Sequence, residues 1–172
     1  DGLCRVTGRE AQDNDSVIGF MPPEFVVNEN AGNARITVRR LGGEIRGQLE
    51  AEGKSWLDGL VNNAATFTYW LALTPDGIET QWAVNHLAAF ALTRRLLPLL
   101  LAAPAARVVT VSSDSHYGAR LDWDDLQLRR RYNALRAYGN TKLANVLFTL
   151  ELNRRMGPDA SLRAFAADTG LV

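Results

Sequence analysis

Tyr138 and Lys142 stand four residues apart in the segment LRAYGNTKLANVLF, which runs from Leu135 to Phe148. In a helix that spacing is about one turn, so both side chains leave the same face. A free tyrosine titrates near 10, and to exchange a proton at neutral pH it must shift by about three units, or about 4 kcal/mol. An ammonium about 4 Å away, at an effective dielectric of about 20, supplies that much. Such a phenol can protonate a carbonyl oxygen while hydride arrives at its carbon. A hydroxyl such as that of Ser113 can hold the same oxygen by hydrogen bond. The same spacing also describes a half-buried tyrosine with a lysine stem lying beside it. The residue types favour chemistry. Of 19 basic residues two are lysines, Lys54 and Lys142. Elsewhere the chain uses arginine, so position 142 has a use for a compact ammonium on a flexible stem.

Several elements must position these groups. ARITV (34–38) reads as a strand and GEIRGQLEAEG (43–53) as a helix. LDGLVNN (57–63) reads as a strand bounded by polar residues. A long helix is expected over 74–102, with Thr74 as its N-cap, Pro75 at its first position, and Asp76 and Glu79 in its first turn. RVVTVSS (107–113) reads as a buried strand and LDWDDLQL (121–128) as a short helix or turn. The helix carrying Tyr138 runs to about Met156, where Gly157-Pro158 stops it. LRAFAAD (162–168) reads as a last strand. Residues 1–34 hold short apolar patches, Val17 to Phe20 and Phe25 to Val27, with no sustained period, and are expected to be irregular. Residues 35–172 alternate strand and helix, which argues for an α/β fold with a parallel sheet covered on both faces. Polar clusters follow three of the strands: Asn62-Asn63-Ala64-Ala65, Ser112-Ser113 and Asp168-Thr169-Gly170. Each lies at a carboxyl end, where open α/β sheets bind ligands.

Composition narrows the function classes. The chain has 172 residues, 47% hydrophobic and 22% charged, and formal net charge +0. That is an ordinary globular mix, with no long-range field to favour nucleic acid or an anionic membrane. The single cysteine, Cys4, cannot form an internal disulfide and fits a reducing, cytoplasmic setting. The most apolar run, His86 to Ala106, carries Arg94, Arg95 and Pro98, which suit a buried helix better than a membrane span. No metal site is expected, because His86 and His116 have no His or Cys at ligand spacing.

The motifs together resemble the short-chain dehydrogenase/reductase family, in its retinol-dehydrogenase-like and WW-domain-oxidoreductase-like branch. LDGLVNNA resembles the family's strand ending in NNAG. TPDGIETQWAVNHLAAFALTRRLLPLL resembles its T-x-D-G-x-E followed by V-N-H-L and an apolar helix. RVVTVSSDSH resembles its serine strand, and YGNTKLANVLFTLELNRRM its Y-x-x-x-K helix. The resemblance covers about Ala34 to Val172. It implies a Rossmann-like doubly wound parallel sheet and an NAD- or NADP-dependent oxidoreductase interconverting an alcohol and a carbonyl on a small apolar substrate. By resemblance, Tyr138 is the acid/base and Lys142 lowers its pKa and holds the nicotinamide ribose. Ser113 orients the carbonyl, with Ser112 as the alternative. Asn85 anchors a water in the proton relay. Asn62, Asn63, Ala64 and Gly170 line the cofactor together with Tyr138 and Lys142. The two long helices form a homodimer face.

The sequence also departs from the family pattern. The glycine-rich T-G-x-x-x-G-x-G turn is not legible: Val6-Thr7-Gly8 echoes its start, but Gln12 and Asn14 stand where glycines belong. Ala65 replaces the NNAG glycine, and Thr169 replaces the proline of the P-G turn. The sheet is therefore expected to be incomplete, with N-terminal βα units and a C-terminal strand missing or degenerate. The alternative function is a degenerate member acting as a scaffold or interaction module.

Overall fold

The computed structural model describes residues 17–19 and 55–168. The strand and helix expected over 34–53, and Thr169 and Gly170, lie outside the described residues. Four strands form one parallel sheet in the order β1 (Val17–Gly19), β2 (Gly59–Asn62), β3 (Arg107–Val111), β4 (Arg163–Ala167). Three residues of the segment expected to be irregular thus form β1, with Ile18 opposite Leu60. Leu60 in turn faces Val108, and Val108 faces Ala164.

Period-two alternation divides the sheet. One face carries Leu60, Val108 and Ala164. These pack with Leu92, Leu96 and Leu100 of a long helix and with Leu152 of another to make the core. On the opposite face Val61, Val109 and Phe165 are register neighbours, and Phe165 is 47% exposed. A parallel sheet normally buries both faces. An incomplete Rossmann-like α/β fold, with one helical layer described, accounts for the difference.

The long helix expected over 74–102 starts later than predicted and is not regular. Thr74 caps a tight turn instead, its Oγ1 accepting from Ile78 N at 3.2 Å. Gly77 takes a positive φ of 73° in that turn, a conformation that ends helical geometry and favours glycine. The true N-cap is Glu79, whose carboxylate accepts from Gln81 N at 2.9 Å and Trp82 N at 2.7 Å. Helix α1 (Thr80–Trp82) then runs into a π-helical turn, Ala83–Leu87, and on into α2 (Ala88–Ala102). LDWDDLQL forms turns rather than a helix. Arg129 donates through its guanidinium to the Gly77 carbonyl and braces the Thr74 turn.

Helix α3 (Ala134–Met156) matches the expected boundaries. Asn133 caps its start by accepting from Arg136 N at 2.9 Å. Gly157 ends it at φ 84°.

Candidate active site at the carboxyl ends of the strands

The last carbonyl of β3 is the hub of the site. Val111 O accepts from Lys142 Nζ at 3.1 Å and from Asn145 Nδ2 at 3.4 Å. In return Ser112 Oγ donates to the main-chain carbonyl of Lys142 at 3.1 Å. Strand end and helix are thus laced in both directions, and Lys142 is held only 2% exposed. This uses up Ser112 as a structural tie and leaves Ser113 as the serine not bonded to helix α3. Ser113 is half-buried and caps the short 3-10 turn Asp114–His116, its Oγ accepting from Ser115 N at 3.4 Å. Its own O–H remains available to donate. That turn lies tightly against α3, since a Cβ on Gly139 would stand 2.8 Å from Ser115 O. The backbone next to Tyr138 therefore touches the backbone next to Ser113, and the two predicted catalytic residues sit on contacting elements.

Two neighbours frame the Tyr138 ring. Lys142 Nζ lies over it, 5.3 Å from the centroid, and Phe67 meets it at 5.7 Å with the planes 63° apart. The resemblance implies a phenol lowered by Lys142, whereas burial acts on Tyr138 in the opposite direction and pushes the phenol up. The ammonium faces the ring and Val111 O, so its charge is directed at the π face and a carbonyl dipole. Burial also pushes Lys142 down, an effect partly offset by the charge of Asp168. Beside Ser113 the exposed Asp114 carboxyl is raised by its hydrogen bond with Asp168 and by that neighbour's charge.

Asn85 sits inside the π-helical turn and is 2% exposed. Such turns widen a helix and are frequent at functional sites. Its main-chain carbonyl accepts from Asn145 Nδ2 at 2.9 Å. Its side chain grips the chain after β2: Thr66 N donates to Asn85 Oδ1 at 2.7 Å, and Asn85 Nδ2 donates to Thr66 O at 2.9 Å. Asn145 completes the bridge by accepting at Oδ1 from His86 Nδ1, 3.0 Å away. Burial lowers the His86 pKa, partly offset by that bond, and the ring lies among Trp82, Phe90 and Phe148. His116 hydrogen-bonds through Nδ1 to Ser113 O at 2.6 Å. Among the described residues no group of three His, Cys, Asp or Glu could hold a metal ion.

The sequence reading missed Asn145 and Phe67. Asn145 was within reach of it: Tyr138, Lys142 and Asn145 follow the 4-then-3 spacing of one helix face. Phe67 leaves no comparable signal, being an aromatic in an irregular stretch.

A sequence profile of the short chain dehydrogenases matches residues 44–172. The chain belongs to the short chain dehydrogenase family. It is 39% identical to mouse retinol dehydrogenase 12 over 99% of this chain and 58% of that one. It is 44% identical to the WW domain-containing oxidoreductase of Pongo abelii over 58% of this chain and 26% of that one. These relatives place it in the retinol-dehydrogenase-like branch. The chain spans a little over half the length of mouse retinol dehydrogenase 12. A crystal structure of an uncharacterized protein from Mycobacterium paratuberculosis superimposes with a TM-score of 0.65 at 45% identity, covering 78% of this chain and 46% of that one.

In this short chain dehydrogenase the residues expected to line a nicotinamide cofactor divide into two groups. Asn62 Nδ2 is committed inside the fold, donating to Thr93 Oγ1 at 3.0 Å and to Thr110 Oγ1 at 3.2 Å. Its Oδ1 is buried and has no hydrogen-bond partner, which leaves an acceptor at the end of β2. Asn63 is exposed and Ala64 half-buried beside it. Lys142 uses one of its three donors on Val111 O. Lys142 thus keeps ammonium donors beyond this bond, while Asn62 Oδ1 is closed off from solvent. No described helix is long and apolar enough to cross a membrane.

Proposed function

We propose that this chain is an NAD- or NADP-dependent oxidoreductase that interconverts a carbonyl compound and an alcohol, with Tyr138 as the proton donor. The observation that carries the reading is the buried Lys142 ammonium. It is bonded to the end of β3, lies over the Tyr138 ring, and belongs to a helix in contact with the Ser113 turn. A folded protein retains a buried cation against its desolvation cost where the cation has work to do.

The cofactor, when bound, supplies or accepts the hydride. Lys142 would hold it, with Asn62, Asn63 and Ala64 at the rim of its site. Ser113 donates its O–H to the substrate oxygen and fixes the carbonyl. Tyr138 gives its phenolic proton to that same oxygen. Asn85, through its carbonyl and its hold on Thr66, keeps the wall of the cleft in place. The half-exposed apolar side chains of α2 and α3, Phe90, Leu101, Leu147 and Leu150, support a homodimer through these helices. The single cysteine supports a reducing, cytoplasmic setting.

The raised phenol sets the direction that comes easily. Burial favours the protonated phenol, so carbonyl reduction should need no rise in pH. Alcohol oxidation needs the phenolate and should climb as pH rises. Rates of both directions across pH, with saturable binding of NADH and NADPH followed by fluorescence, test the reading. Oxidation that is level through neutral pH, or no saturable signal at millimolar cofactor, contradicts it.

A further inference from the structure

Residues 66 to 69 follow β2 as a stretch fixed at alternate positions. Thr66 is held through both backbone groups by Asn85. Thr68 is buried: its Oγ1 lies 3.1 Å from Tyr132 Oη, and its carbonyl accepts from Tyr132 Oη at 3.2 Å and Gln81 Nε2 at 3.3 Å. Tyr132 is anchored in turn, donating to Glu79 Oε1 at 3.1 Å, and both Glu79 and Gln81 are buried. Phe67, between the two clamps, stays 37% exposed and sets its ring against Tyr138. Tyr69 continues the row, meeting Phe67 at 5.1 Å with the planes 81° apart. An aromatic ledge therefore stands beside the Tyr138 phenol, with exposed rings on a backbone hydrogen-bonded at Thr66 and Thr68. Solvent-exposed aromatic surface of this kind marks ligand grooves, and aromatic pairs contribute beyond their buried area.

We propose that Phe67 is a positioning and specificity residue: it holds the Tyr138 ring at its working angle and selects carbonyl compounds that carry an aryl group next to the reacting carbon. The inference rests on the oxidoreductase reading for the word substrate, but its test does not depend on turnover. The chain is labelled at tyrosine for NMR, and Tyr138 is assigned by the signal lost in Tyr138→Phe. In Phe67→Leu the Tyr138 ring signals move as the neighbouring ring current disappears, and in Phe67→Tyr they return. An aryl methyl ketone and an alkyl methyl ketone of equal carbon number are then titrated in the presence of NADP, reading the same signals. Phe67→Leu weakens the aryl ketone about fivefold, within the range of an aromatic pair, and the alkyl ketone less than about twofold. Phe67→Met repeats the comparison with an unbranched side chain, and amide dispersion shows that each variant is folded. Unmoved Tyr138 signals, or equal weakening of both ketones in the folded variants, overturn the proposal. A chain that shows the aryl preference but never oxidises NADH or NADPH retains this inference and loses the enzyme reading. Turnover with no aryl preference does the reverse.

Discussion

The two halves of helix α3 are built on different rules. The second half is ordinary. Leu152 enters the core, Met156 and Phe148 pack against it, and Glu151 on the outer face pairs with Arg154 and Arg155 at 2.6 Å each. Those two arginines, Arg154 foremost, hold the Glu151 carboxyl at about 2. Exposed pairs of this type contribute little to stability. The first half buries Asn140, Thr141, Lys142 and Asn145, a set that packing alone would not choose. Among the described residues Asn140 has no partner for either side-chain polar atom, and burial pushes the Lys142 pKa down. An unpartnered buried amide costs about 1–3 kcal/mol. Sequence optimised for stability would put apolar residues there, so packing accounts for the second half and not for the first.

Substitutions can break that contrast or sharpen it. The largest effect is expected from Lys142→Met. It should lower kcat/KM by about 10³-fold, equivalent to about 4 kcal/mol in the barrier. It should leave the midpoint of urea unfolding unchanged or raised, because it removes a buried charge of similar volume. A large drop in both would make Lys142 a structural residue. Leu152→Ala should do the opposite, costing about 3 kcal/mol of stability with the rate per folded molecule retained. Equal losses of activity in both variants would erase the distinction between the halves.

The smallest effect concerns pH. His86 has a lowered folded pKa, so its contribution to stability is fully present above the unfolded value of about 6.5 and is lost as pH falls towards the folded value. Thermal midpoints should fall by a few degrees across that window. His86→Gln should flatten the decline while keeping a donor for Asn145. A slope unchanged by the substitution would assign the pH dependence elsewhere.

Much of this was legible in the sequence for particular reasons. Strand β3 is announced by the β-branched run of RVVTV and the end of helix α3 by Gly157, and both signals act locally. The placing of Lys142 over Tyr138 followed from helix spacing, and the contact of their helix with the Ser113 turn from the strand-end position. What failed was the start of the helix before Asn85. Thr74-Pro75 has the form of a helix start, but Gly77 at positive φ and the buried Glu79 cap move that start onward by about a turn. How deeply the Tyr138 phenol is buried is not legible either, because one-dimensional spacing places the ammonium near the ring without saying how the ring is covered. β1 could not be read, since three residues carry no period. Asn62 shows the limit most clearly. Its place after β2 predicts a cofactor contact, yet its nitrogen is spent on Thr93 and Thr110, partners 31 and 48 residues away in sequence.

The central claim is that Tyr138 supplies the proton in a cofactor-dependent carbonyl reduction. Single-turnover oxidation of bound NADPH or NADH by an aryl ketone, compared between the native chain and Tyr138→Phe, tests it most directly. The account predicts that the variant binds cofactor as tightly as the native chain and reduces the ketone about 10³-fold more slowly. Equal single-turnover rates at equal cofactor occupancy would contradict it.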